Sequence, residues 1–264
     1  MSMWLAFLLT LFAGLATGIG SLMILFTSKT NKKILSFSLG LSAGVMIYVS
    51  FVEILQKSIE SLSIVYGEKL GNIYAICGFF AGIALIALID KFIPKVGNPH
   101  EIHLIEEIGE QNNQKELMRI GIFTALAIAL HNFPEGLATF IATIEDPSMG
   151  IAITVAIAIH NIPEGIAVAI PIYYASNSRK KAFKYSFLSG LSEPIGALIG
   201  YFLFIQFFGD SAFGFIFAAV AGIMVYISLD ELLPAAKEYG EHHISICGLI
   251  IGMIIMAISL LLFI

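Results

Sequence analysis

The sequence predicts an all-α polytopic membrane protein of eight transmembrane helices, and three observations carry that prediction. Of its 264 residues, 58% are hydrophobic and only 12% are charged, against about 45–50% and about 25% in soluble domains. The apolar residues gather into eight stretches, each near the roughly 20 residues that a helix needs to cross the hydrocarbon core. Connections between the stretches are short, apart from a polar loop at about 94–119 that does not belong inside a bilayer. A water-soluble fold of this length cannot hide that much apolar surface. The whole chain, 1–264, therefore reads as a single transmembrane domain, multi-pass in the cell inner (plasma) membrane.

The first span is predicted over Trp4–Phe26. The uncharged stretch around it, from Met1 to Ser28, is too long for a signal-peptide core and has no basic segment before it, so it reads as a retained helix. The next spans are expected over Ile34–Leu55, Ile73–Ile93, Ile120–Ile144, Gly150–Tyr174, Phe187–Phe208, Ser211–Leu233 and Ile244–Ile264. Counting Lys and Arg in alternate loops places twelve of the fourteen cations on one side, leaving Lys57 and Lys69 on the other. The side with twelve is expected to be cytoplasmic, so an even number of spans leaves both termini outside. Cys77 and Cys247 lie about 170 residues apart in apolar stretches and read as small buried thiols, which argues against a thiolate metal site. The spacing G-x-x-x-G occurs at Gly14/Gly18, Gly40/Gly44, Gly78/Gly82, Gly196/Gly200 and Gly248/Gly252. It lets helix backbones approach closely, and leaves open whether it serves internal packing or a homodimer.

One short repeat carries the chemistry. Span four contains His131, Asn132, Pro134, Glu135 and Gly136, and span five contains His160, Asn161, Pro163, Glu164 and Gly165, in the same order and spacing. Both copies begin about eleven residues into their spans, near the bilayer midplane, and the antiparallel helices let them face each other. Insertion scales charge an acidic residue roughly 2.5–3.5 kcal/mol at a span centre, so two such groups need a function. His and Glu at i and i+4 share a helix face, where imidazole nitrogen and carboxylate oxygen can hold one cation. Asparagine adds a neutral carbonyl oxygen. Pro134 and Pro163 lack an amide hydrogen, so the carbonyls of Leu130 and Ile159 lose their helical partners. The Pro-Glu-Gly run is thus expected to break each helix and open backbone oxygens toward a polar path.

Further ionisable groups fit this path. Glu193, followed by Pro194 early in span six, can point at the same axis, and Glu53 late in span two is read as an entrance ligand or a carboxylate reaching for water. Asp230 and Glu231 near the cytoplasmic end of span seven are candidates for an exit. His100 and His103, with Glu101, Glu106, Glu107 and Glu110 in the long loop, are either a metal-catching segment or a solvated acidic loop, and His242 and His243 raise the same choice.

The paired His-Asn-x-Pro-Glu-Gly motifs resemble the ZIP (Zrt/Irt-like) family of divalent-metal transporters, most closely its bacterial ZupT/GufA-like zinc-uptake branch. The resemblance covers the whole chain and implies a 3+2+3 bundle, with spans one to three related to six to eight by inversion. It also implies a two-metal centre between spans four and five. Glu135, His160 and Glu164 would hold zinc at the first position, with His131 beside them. Asn132, Glu135, Asn161, Glu164 and Glu193 would form an oxygen-rich second position, associated in this branch with iron. Glu135 and Glu164 would bridge the two, and Glu53 matches a span-two position that serves the first site or its entrance in some members. Span five departs from the His-Glu-x-Pro-His-Glu form of eukaryotic members.

The function expected is uptake of divalent transition metal, Zn²⁺ with Fe²⁺, Mn²⁺ and Co²⁺, into the cytoplasm, since mixed imidazole and carboxylate ligands suit these ions better than Cu(I). The metal is cargo; no catalytic cofactor is expected. Partners are the metal ions and the lipid bilayer, and no nucleic acid. A proton or cation channel would use the same acids but leaves the histidines and asparagines unexplained. An intramembrane zinc hydrolase would call for H-E-x-x-H on a helix, which the chain lacks.

Overall fold

The structure is a computed structural model that describes residues 3–26, 32–92, 114–208, 211–239 and 242–262. The described residues are almost wholly helical, with no strand among them. Span one is Met3–Phe26. Span two is Lys32–Val49, a π-helical turn at Ser50–Ile54, and Leu55–Tyr66. Span three is Glu68–Phe92, span four Gln114–Glu145 and span five Pro147–Ser176. Span six is two helices, Arg179–Gly190 and Ser192–Phe208. Span seven is Ala212–Ile227, a second π turn at Ser228–Leu232, and Leu233–Tyr239, and span eight is His242–Leu262. Among the described residues, seven helical stretches are long and apolar enough to cross a membrane; span six, the remaining one of the eight predicted, is covered by its two shorter helices.

Local chemistry explains several joints. Gly67, with φ of 80°, alone separates spans two and three; a side chain is disfavoured in that left-handed region. Asp146 alone separates spans four and five. Its carboxylate accepts from Ser148 N at 2.9 Å and Met149 N at 3.4 Å, and Pro147 occupies the first helical position, where a missing N–H costs nothing.

Three differences from the sequence expectation matter. Span two runs eleven residues beyond its predicted end at Leu55, so Glu53 lies within the rod and not near its tip. Spans four and five pass through Pro134 and Pro163 without interruption. The prolines remove one hydrogen bond each and leave the helices continuous, because tight packing on both sides holds the rods in line. Cys77 and Cys247 are free and exposed on the surface of the bundle, not buried; on a membrane protein that surface is as apolar as a core. Its other occupants say the same: Trp4, Leu8, Phe12, Leu15, Ile19 and Leu22 form an exposed apolar stripe down span one.

The rods form two groups. Spans one, four, five and six pack together, as do two, three, seven and eight; span five meets two and eight across the divide, and span four meets seven. The main pairings survive inversion: two with eight answers seven with three, and one with five answers six with four. The sequence carries the same duplication. Residues 43–55 read AGVMIYVSFVEIL and residues 221–233 read AGIMVYISLDELL, and the π turns fall on the same five positions of both. Ser50 Oγ donates to the Met46 carbonyl at 2.6 Å, and Ser228 Oγ to that of Met224 at 2.7 Å. Residues 14–20, GLATGIG, correspond likewise to 190–196, GLSEPIG.

Glycine marks the crossings. A Cβ on Gly44 would strike the Leu249 carbonyl oxygen, and one on its counterpart Gly222 would strike that of Phe79, while Gly14 and Gly190 lie against each other. These glycines thus serve packing inside the chain. Gly44→Val and Gly222→Val should each lower the thermal midpoint of the detergent-solubilised protein, by roughly 3 kcal/mol of stability or more, since backbone cannot yield as a side chain does. Equal losses are expected because the two contacts are copies, and circular dichroism melts measure them.

Candidate functional site

Spans four and five cross the others where their motifs lie. A Cβ on Gly136 would meet the Glu193 carbonyl of span six, and one on Gly165 would meet the Thr17 carbonyl of span one. The glycine that ends each motif therefore lets a neighbouring helix close over the glutamate before it. These spans, with span seven, are the most enclosed, and span three is the least.

The result is a sequestered polar cluster. Asn132, His160, Asn161, Glu164 and Glu193 are fully buried, and Glu135 is 1% exposed. His160 Nε2 lies 3.3 Å from Glu135 Oε2, so the two motifs touch across the interface between spans four and five. Glu135, Glu164 and Glu193 thus place three carboxyl groups inside the bundle, out of reach of water. The side chain of His131 lies outside the described residues.

Asn161 organises one side of the cluster. Its amide nitrogen donates to the Ala13 carbonyl of span one at 2.9 Å and also to Glu193 Oε1 of span six. Both amide hydrogens are used, so its carbonyl oxygen is turned the other way and has no hydrogen-bond partner. The same holds for Glu135 Oε1, Glu193 Oε2 and both polar atoms of Asn132. Buried polar atoms are rarely left so, and each costs about 1–3 kcal/mol when unpaired. Buried acceptor oxygens left unpartnered in one polar cluster suit a cation. Among the described residues, no three His, Cys, Asp or Glu side chains already stand at ligating distance around one point.

The inverted repeat gives the cluster unlike arms. Thr17 of span one is in register with Glu193 of span six, and its buried hydroxyl also lacks a partner. Neither Thr17 nor the glycine crossings were found by reading the motif alone; aligning residues 14–20 with 190–196 exposes both.

Other predicted residues lie elsewhere. Glu53 is half-buried in the first π turn, and the charges acting on it are Lys57, Asp146 and Glu60. It belongs to a charged rim at the end of the bundle that holds Gly67 and Asp146, where Lys57 Nζ meets Glu60 Oε2 at 3.2 Å. Asp230 and Glu231 sit in the second π turn, partly exposed. His242 and His243 are exposed at the start of span eight. The loop residues His100, Glu101, His103, Glu106, Glu107 and Glu110 lie outside the described residues.

Long apolar rods enclosing charged and amide groups define a multi-pass membrane protein of the transporter class. The family model described as ZIP Zinc transporter matches residues 2–115 and 95–260. The Zinc transporter ZupT of Chlorobium chlorochromatii (strain CaD3) is 62% identical over 260 residues, spanning 98% of this chain and 97% of that protein. The Zinc transporter ZupT of Clostridium perfringens (strain 13 / Type A) is 61% identical over 274 residues, spanning 98% and 96%. That of Lysinibacillus sphaericus (strain C3-41) is 62% identical over 261 residues, spanning 98% and 97%. The chain belongs to the ZIP family, which is one of transporters and not of enzymes.

Asn161→Leu should lower the thermal midpoint by several degrees, because it strands Glu193 Oε1 and leaves the Ala13 carbonyl without its second donor. Asn161→Asp should be at least as damaging, since it sets a second carboxylate against Glu193. Melting curves of the purified variants check both.

Proposed function

We propose that this chain carries divalent transition-metal cations across the cell inner membrane into the cytoplasm, zinc foremost and also iron, manganese and cobalt. The residues 1–264 act as one transport domain, with the long loop and most cations on the cytoplasmic side and both termini outside. The cation passes through two adjoining positions between spans four and five. Glu135, His160 and Glu164, with His131, serve the first; Asn132, Glu135, Asn161, Glu164 and Glu193 serve the second. Glu53 on the charged rim serves as an entrance ligand.

The observation that carries this reading is the set of buried acceptor oxygens without partners, on Asn132, Glu135, Asn161 and Glu193, in a bundle that also encloses the carboxyl groups of Glu135, Glu164 and Glu193. A divalent cation supplies the positive charge that this cluster lacks, and side-chain rotation brings the ligands to bonding distance as it arrives. Imidazole and carboxylate together suit Zn²⁺, and the carboxylate and amide set suits harder ions such as Mn²⁺ and Fe²⁺. Two adjoining positions let an ion leave by moving to a neighbour and avoid trapping it. The names of the relatives, all zinc transporters, point to the same cargo.

Proteoliposomes test the reading directly. Radiozinc uptake should be saturable, competed by iron, manganese, cobalt and cadmium, and abolished by Glu164→Ala; undiminished flux in that variant would refute the assignment. A metal-independent proton or sodium current of matching size would favour a channel. Lowering the pH from about 7 to about 5 should weaken zinc binding at least ten-fold, because imidazole and carboxylate must shed protons to coordinate. Calorimetric titration of the purified protein reads that change.

A further inference from the structure

We propose that Ser42 of span two is a positioning residue for Glu164, and that it makes the two motif glutamates inequivalent. The inference rests on the proposed ion site, and it adds a helix that the site's two motifs do not contain.

Ser42 is fully buried. Its hydroxyl lies 3.5 Å from Glu164 Oε1 and 3.5 Å from the His160 carbonyl, so it faces the second motif through both a side chain and the backbone. Buried hydroxyls in this bundle take two courses. Buried Thr10, Ser50, Thr139, Thr154 and Ser228 turn their hydroxyls back to the carbonyl four residues earlier in their own helices, at 2.6–3.0 Å. Ser42 instead reaches out of its helix, as Ser36, Ser58, Ser186 and Ser259 do, and it is set apart from these by meeting a motif glutamate.

The duplication supplies an internal comparison. In the register that aligns residues 43–55 with 221–233, Ser42 corresponds to Val220, a buried residue of span seven. Span two packs on span five, and span seven packs on span four. The hydroxyl is thus offered to the span-five motif, and an apolar side chain stands at the corresponding position on the span-four side. Ser42 thus stands beside Glu164, and Val220 occupies the matching position of span seven.

A hydroxyl has one proton and two acceptors here. Without a cation, the carboxylate is the stronger acceptor, and a small rotation of either side chain closes the 3.5 Å separation into a hydrogen bond that restricts the rotamers of Glu164. When a cation engages Glu164, the proton turns to the His160 carbonyl and the carboxylate is released to the ion without moving far. Charge-assisted bonds of this kind preorganise a ligand, so losing one weakens capture of the ion and leaves its later passage intact.

The test compares Ser42→Ala, Ser42→Thr, Val220→Ala and Glu164→Ala with the full-length protein in proteoliposomes. Ser42→Ala should raise KM for zinc about five-fold with maximal rate within two-fold, and calorimetry should show Kd rising by the same factor. Ser42→Thr, which keeps the hydroxyl, should restore both, and Val220→Ala should leave KM within two-fold. An unchanged KM in Ser42→Ala, while Glu164→Ala still abolishes uptake, overturns the proposal but not the ion site. So does an equal rise in Val220→Ala, or a Thr variant as impaired as the Ala variant. Uptake that survives Glu164→Ala overturns both readings. If Ser42→Ala does not yield folded protein, the Thr variant decides: wild-type Kd and KM support the role of the hydroxyl, and a raised KM rejects it.

Discussion

Charge held away from water is the constraint on which this structure turns. Glu135, Glu164 and Glu193 are at most 1% exposed, in a bundle whose outside is hydrocarbon. A carboxylate in such a place must find donors, protons or a cation. Among the described residues, the amide of Asn161 serves Glu193, the imidazole of His160 meets Glu135, and the hydroxyl of Ser42 lies between Glu164 and a backbone carbonyl. Backbones must also come close enough to shut lipid out, which explains why both motifs end in glycine. The same small residue that follows each acid admits the neighbouring helix that covers it.

Duplication is the second theme. Contacts, π turns and glycine crossings recur in both halves, so one packing solution is used twice in opposite orientations. Sites on such a pseudo-twofold element would be symmetric if nothing intervened. Here single residues intervene: Thr17 stands opposite Glu193, and Val220 opposite Ser42. A symmetric scaffold therefore carries an asymmetric set of ligands, and an ion meets different chemistry on its two sides.

Much of this was legible in the sequence, for identifiable reasons. Apolar runs of membrane length leave few alternatives to helices, and His-Asn-x-Pro-Glu-Gly twice over is too costly in hydrocarbon to be incidental; both residues of the His160–Glu135 contact come from that motif. Other features were hidden. Proline reads as a helix breaker, yet Pro134 and Pro163 sit in unbroken rods, because the missing hydrogen bond is tolerated where neighbouring helices fix the path. Burial of Cys77 and Cys247 was inferred from apolar surroundings, but in a membrane protein apolar does not mean inside. Span two ran past Leu55 because Gln56, Lys57, Glu60 and other polar residues end the hydropathy signal, not the helix. The repeat linking residues 43–55 and 221–233 was present in the letters, obscured by the general likeness of Ile, Val and Leu runs. Nothing in composition announces a π turn.

The shortness of two joints limits how the bundle can rearrange. Gly67 alone ties span two to span three, and Asp146 alone ties span four to span five. A one-residue joint reaches at most about 7 Å from one helix end to the next, and the gap between packed helices takes up most of that, which leaves less than the 5.4 Å pitch of a helical turn. Neither pair can therefore slide like a piston by a full turn without unwinding an end. Each hairpin keeps its level in the membrane as a unit, and the freedom left to it is to tilt.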